Sequence, residues 1–146
     1  SCFLKENYSI IEGMPPEINL LNEKNNGESL LKLIDKNLIL SAHDISNGGL
    51  VTALSEMILK SNYGAKIHKP KKLTNLFRYF FGEDQARYII EIQAQKLSSV
   101  EKLLKESNVY YENIGFTQEN YFEIEGELKI SIKDLFKINN QWYKNY

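Results

Sequence analysis

Apolar residues recur along this chain at two spacings, and the switches between them mark its elements. Leu30, Leu31, Leu33 and Ile34 follow the polar run Asn22-Glu23-Lys24-Asn25-Asn26-Gly27 and predict a helix. Ahead of it, residues 1–23 read as irregular: Gly13-Met14-Pro15-Pro16 blocks a helix, and Asn19 to Asn22 read as loop. The run Leu38-Ile39-Leu40 predicts a strand. Leu50, Ala53, Leu54, Met57 and Ile58 then recur at i, i+3, i+4, i+7 and i+8, so the segment reads strand, polar turn, helix. Gly64 to His68 predicts a short strand, and Lys71 to Phe80 a helix with Leu73, Leu76, Phe77 and Phe80 on one face.

Arg87 to Gln93 alternates most clearly, with Tyr88, Ile90 and Ile92 on one side and Ile89 and Glu91 on the other. Ser98-x-x-Glu101 is a capping-box pattern in a helix that carries Leu97, Val100, Leu103 and Leu104. Val109 to Phe116 is strand-like. Tyr121–Glu125 and Leu128–Ile132 flank Glu125-Gly126-Glu127 as a hairpin. Ser131-x-x-Asp134 opens a last helix that ends near Trp142 and Tyr143. Helices and strands alternate but the final part is antiparallel. The expected fold is therefore an α/β (α+β) domain, a mixed β-sheet with helices packed on it, with residues 1–146 as a single domain.

Composition narrows the class. The chain has 146 residues, 42% hydrophobic and 25% charged, with a formal net charge of −1, so no bulk attraction to nucleic acid or membrane is expected. Lys69-Pro70-Lys71-Lys72 reads as a solvated loop, and His68 as an isolated, exposed side chain. A single cysteine, Cys2, excludes an internal disulfide framework and makes a reducing, cytoplasmic setting the default. No run approaches the roughly 20 apolar residues of a membrane span. The chain opens on Ser1 rather than Met, and is expected to begin inside a longer protein.

Two polar clusters carry the candidate chemistry. The first, Ala42-His43-Asp44-Ile45-Ser46-Asn47-Gly48-Gly49-Leu50, sits between strand and helix. His43 and Asp44 read either as a ligand-facing pair at the end of a strand or as a packed histidine beside a helix-capping aspartate. Ser46 and Asn47 also suit a cap. Two adjoining glycines at a helix start cost roughly 1 kcal/mol each relative to Ala. Gly48 and Gly49 are therefore required by close packing or by a ligand such as a phosphate on the helix N-terminus. The pattern is neither a dinucleotide fingerprint nor a P-loop. The second cluster is Phe81-Gly82-Glu83-Asp84-Gln85-Ala86-Arg87-Tyr88. Glu83 and Asp84 suit a hard cation, or the cluster is a turn in which Arg87 pairs with Asp84. The candidate ligand or phosphate cleft is thus His43, Asp44, Ser46, Asn47, Gly48, Gly49, Glu83, Asp84, Gln85 and Arg87, with no catalytic residue and no metal ligand assigned.

Taken together, these strings resemble the large catalytic subunits of phosphoribosylformylglycinamidine synthase, whose pattern is A-H-D-x-S-D-G-G-L, then A-L-x-E-M, then F-G-E-D-Q-x-R-Y. Ala53-Leu54-Ser55-Glu56-Met57 supplies the middle element. Pro15-Pro16, Glu23-Lys24-Asn25-Asn26-Gly27, Ile130-Ser131-Ile132-Lys133-Asp134-Leu135 and Trp142-Tyr143 match flanking elements. Asn47 departs from the family's usual Asp and removes a charge from the turn. The resemblance implies a C-terminal domain of the AIR-synthase-related type, the second copy in a longer chain. It also implies an enzyme that uses ATP, Mg²⁺ and glutamine-derived ammonia to convert formylglycinamide ribonucleotide to its amidine in purine biosynthesis. The catalytic histidine, the Mg²⁺ carboxylates and the main ATP contacts would lie upstream. Partners would be the upstream domains, a glutaminase and a small accessory subunit. Alternatives are a stand-alone binding or assembly module of the same fold, or a relative of thiamine-monophosphate kinase. The first would need a start codon just before Ser1. The F-G-E-D-Q-x-R-Y form and Trp142 argue against the second.

Overall fold

A computed structural model describes residues 1–70 and 75–144, without the side chains at 142 and 143. The elements follow as α1 (Cys2–Tyr8), α2 (Leu20–Asp35), β1 (Ser41–Asp44), α3 (Gly49–Ser61), β2 (Gly64–Ile67), α4 (Leu76–Phe81), β3 (Tyr88–Glu91), a 3₁₀ turn (Ala94–Lys96), α5 (Leu97–Glu106), β4 (Gly115–Gln118), β5 (Tyr121–Ile124), β6 (Leu128–Ser131) and α6 (Ile132–Lys144). They group into two compact units, Ser1–Ala53 with Phe77–Glu112 and Leu54–Leu76 with Asn113–Tyr146. The chain is α/β with a mixed sheet, as its patterning predicts.

In the first unit, β1 and β3 form an antiparallel pair with Ala42 opposite Ile90, His43 opposite Ile89 and Asp44 opposite Tyr88. Its core is Leu33 of α2 against Val100, Leu103 and Leu104 of α5, bordered by Leu38, Ile39, Ile90, Ile92, Val109 and Tyr111. These are the apolar positions that helical spacing placed on one face of each helix. The second unit holds a four-stranded sheet in the order β4-β2-β5-β6. β2 runs parallel to β5, whereas the outer pairs are antiparallel. Ala65, Ile67, Phe122 and Ile124 are buried on one face of that sheet. Lys66, Glu123 and Lys129 line up on the other, with Lys66 Nζ 3.1 Å and Lys129 Nζ 3.5 Å from Glu123. His68 is exposed but not isolated, since its Nδ1 lies 3.2 Å from Glu125. Lys69 pairs with Glu127. Lys71, Lys72 and Leu73 lie outside the described residues.

Four expectations need correction. The first 23 residues are not wholly irregular: α1 forms because Phe3 stacks on Phe81 at 4.2 Å, a tertiary contact with no local signature. Asn19 is the cap of α2, its Oδ1 accepting from the Asn22 amide at 3.0 Å, so Leu20 to Asn22 are helical. The first strand is Ser41–Asp44, just past the apolar run at 38–40, although the Leu40 amide already bonds the Glu91 carbonyl at 2.7 Å. Ser98 does not cap α5: the chain is already helical at Leu97, after the 3₁₀ turn. Finally, residues 109–114 are not strand. Val109 and Tyr111 pack on the helical core, Tyr110 is exposed, and Asn113 Oδ1 turns the backbone by accepting from the Gly115 amide at 3.1 Å.

The hairpin and the last helix form as patterned. Ile124 faces Leu128 across the turn at 125–127. Ser131 Oγ accepts from the Asp134 amide at 3.0 Å and donates to Asp134 Oδ2 at 2.6 Å, a side-chain cap for α6. Ser131→Ala is expected to cost about 1 kcal/mol of unfolding free energy in urea titrations. Ser131→Thr should retain most of that stability.

Candidate functional site

All ten candidate residues fall in the first unit, and backbone pairing brings the two clusters side by side. β1 runs antiparallel to β3, and the pairing continues past Asp44 through the Ile45 amide, which donates to the Arg87 carbonyl at 2.9 Å. The chain then turns, closed by the Gly49 amide on the Ser46 carbonyl at 3.1 Å, and enters α3. Opposite it, α4 ends at Phe81, and residues 82–87 form a loop into β3.

Glu83 joins the two. Its Oε1 accepts from the Gly48 amide at 3.0 Å and from the Cys2 amide at 2.7 Å. The amide at the start of α3 that suited an anionic ligand is therefore engaged by an internal carboxylate, favoured there by the partial positive charge of a helix N-terminus. Burial alone raises the Glu83 pKa, but the hydrogen bonds from Cys2 and Gly48 favour the ionised form more strongly and hold it below the ordinary value.

The glycines are explained by packing. Gly49 has φ +72°, and a Cβ there would stand 2.7 Å from the Phe81 carbonyl carbon and 2.8 Å from the Phe80 oxygen. Gly48 has φ +79°, and a Cβ there would meet the Thr52 hydroxyl at 2.2 Å. That hydroxyl bonds the Gly48 carbonyl at 3.2 Å. Neither glycine needs a ligand to account for it.

The remaining candidates divide. Arg87 Nη1 donates to the Gly82 carbonyl at 3.2 Å, so it braces the loop instead of pairing with Asp84. His43 Nδ1 lies 2.6 Å from the Asp44 carbonyl and 3.6 Å from Asp44 Oδ1. Asp44 lies on β1, well ahead of the cap position of α3, so it does not cap that helix. Its side chain is 64% exposed. Ser46, Asn47 and Gln85 are exposed as well, and Asp84 is half-buried. Among the described residues, no group of three or more His, Cys, Asp or Glu side chains is placed to hold a metal ion. None of the described helices is long and apolar enough to cross a membrane.

Sequence reasoning missed two contributors. Cys2 matters through its backbone amide, which no side-chain pattern reveals. Asn26 of α2 donates from Nδ2 to the Ala86 carbonyl at 2.7 Å, bracing the loop from a third element. Its only sequence signal is its place in Glu23-Lys24-Asn25-Asn26-Gly27.

Residues 3–125 match the family described as AIR synthase related protein, C-terminal domain. The chain belongs to this family. It is 48% identical over all 146 residues to phosphoribosylformylglycinamidine synthase subunit PurL of Pelagibacter ubique, and spans 20% of that relative. Among solved structures, Thermotoga maritima PurL complexed with ATP superposes with a TM-score of 0.73 at 20% identity, over 85% of this chain and 23% of that one. PurLQS from Thermotoga maritima gives a TM-score of 0.68 at 21% identity, over 90% of this chain and 24% of that one. The structural likeness establishes the AIR-synthase-related fold, and the chain covers about a fifth of its curated relatives.

Two outcomes follow for the site. Gly49→Ala combines a left-handed backbone with a clash against fixed main chain, and should destabilise the first unit by about 2–4 kcal/mol in urea titrations. Glu83→Gln removes the charge from two hydrogen bonds and should cost about 1–2 kcal/mol near pH 7, the smaller end applying because water reaches the carboxylate. Because folding lowers the Glu83 pKa, the wild-type advantage is full above the unfolded value near 4.5 and is lost as pH falls through the lower folded value. Urea titrations of both proteins across pH 3–7 should therefore converge at the acid end; an advantage independent of pH contradicts the assignment.

Proposed function

We propose that this chain is the C-terminal part of a phosphoribosylformylglycinamidine synthase large subunit. As such it would take part in the ATP-dependent C–N ligation that turns formylglycinamide ribonucleotide into its amidine with glutamine-derived ammonia. The observation that carries this is the 48% identity to the Pelagibacter ubique subunit over every residue of the chain. The family match runs from residue 3 to residue 125 and so crosses both compact units, which supports reading them as one AIR-synthase-related C-terminal domain of a longer chain. Its partners would be the upstream domains, a glutaminase and a small accessory subunit, in keeping with the PurLQS likeness. A cytoplasmic setting fits the lone cysteine.

The residues described here do not fit ATP or Mg²⁺ directly. The Gly48 amide and the Glu83 carboxylate are engaged with each other, and among the described residues no group of three or more His, Cys, Asp or Glu side chains is placed to hold a metal ion. The nucleotide and its metal are therefore assigned to other domains, and no chemical step is routed through this one. Gly48, Gly49, Glu83 and Arg87 hold the two clusters together; beside them Asp44, Ser46, Asn47 and Gln85 are exposed and Asp84 is half-buried.

Residues 1–146 alone should give no amidine from formylglycinamide ribonucleotide, ATP and ammonia, because the reactants have nothing to align them. The longer chain should give it. Chromatographic detection of the product checks both. Turnover by the 146-residue piece overturns the assignment of chemistry to other domains, and an inactive longer chain, supplied with ammonia, overturns the synthase reading.

A further inference from the structure

Apolar side chains crowd onto the surface near the start of the chain. Tyr8, Ile11, Met14, Ile18, Leu20 and Leu21 are each more than half exposed, Met14 at 94% and Ile11 at 81%. α1 buries none of its seven residues, and a helix that short does not persist in water without tertiary support. Its support is an aromatic ledge. Between ring centroids, Phe3 lies 4.2 Å from Phe81 and 5.5 Å from Phe77 of α4, and 6.0 Å from Tyr8. Phe77 remains 62% exposed beside it. Past α1 the chain runs without helix or strand from Ser9 to Asn19. Among the described residues, nothing accepts from the amides of residues 11–14, 17 and 18. A surface this rich in large apolar groups marks a contact face rather than a solvated one.

The length of the relatives and the charges around the face say what covers it. The Pelagibacter ubique subunit matches over all 146 residues, yet these make up 20% of it, so about four-fifths of that chain lies outside the matched part. On the synthase reading, on which this inference rests, the corresponding part of this protein precedes Ser1 and is joined to it a few residues from the face. A tethered partner docks at the high effective concentration that its linkage sets, so a face of modest area suffices. Contacts between separately soluble subunits are more polar than permanent ones, and this face is aliphatic and aromatic. Between Lys5 and Lys24 every charged residue is acidic: Glu6, Glu12, Glu17 and Glu23. The complementary surface is therefore apolar with basic groups at its edge. We propose that residues 4–21 and Phe77 form the docking face for the domain that precedes Ser1 in the longer chain, which meets it with an apolar surface edged by lysine or arginine.

The test is site-specific photo-crosslinking in the longer chain, with Tyr8, Ile11 or Met14 replaced one at a time by p-benzoyl-phenylalanine. Irradiation should give a product of unchanged chain mass, whose cross-linked peptides join residues 4–21 to residues upstream of Ser1. Glu12→Lys with Glu17→Lys should lower the yield about threefold, because it sets like charges against each other. Hydrogen–deuterium exchange of the unsubstituted longer chain reads the same face without a replaced residue. The peptide covering residues 9–19 should exchange far more slowly than an unstructured peptide. Cross-links at twice the chain mass, which mean a second copy, overturn the proposal. So do cross-links confined to residues 1–146, a yield unchanged by the paired lysines, or exchange at the unstructured rate. Amidine formation by the wild-type longer chain judges the synthase reading by itself: an inactive chain that gives these cross-links keeps the docking face and loses that reading.

Discussion

A carboxylate that accepts two backbone amides from distant parts of the chain organises the first unit. Glu83 ties the start of α3 and the first turn of the chain to the loop that follows α4. The same contact surface presses the Gly49 backbone against the last residues of α4, so the turn and the loop have room for only one arrangement. A helix N-terminus in water would bind any anion weakly; here the anion is built in, held 3.0 Å from the Gly48 amide. The aromatic stacking of Phe3 on Phe81 and the brace from Asn26 both act on a loop whose position Glu83 has already set.

That constraint divides the polar clusters by role. Residues whose polar atoms are spent on the backbone make the frame, and those that remain exposed make the surface. The exposed set is short of positive charge, and this separates it from the phosphate-binding turns that a Gly-Gly pair at a helix start brings to mind.

Much of the fold was legible because its elements are locally consistent. The apolar stripes of α2, α3 and α5, the alternation of β3, the hairpin at 125–127 and the Ser131 cap each announce themselves over a few residues. What was not legible depends on partners far away in sequence. α1 exists through an aromatic contact across 78 positions (residue 3 to residue 81). The 109–114 segment alternates like a strand but packs its apolar residues on helices instead of pairing. Within the site, the types and positions of the ten residues were readable, but their roles were not. Whether a glycine serves a ligand or a neighbouring backbone is a question about the atoms within 3 Å of it, and only the folded chain answers that.

The claim on which this account stands is that Glu83 occupies the Gly48 amide. Amide NMR of the chain across a pH titration tests it most directly. The Gly48 and Cys2 amide resonances should move together, with one midpoint below the ordinary glutamate value of 4.5, as Glu83 takes up its proton. A Gly48 resonance that is insensitive to that titration would contradict the account, as would one that instead shifts on adding phosphate near neutral pH.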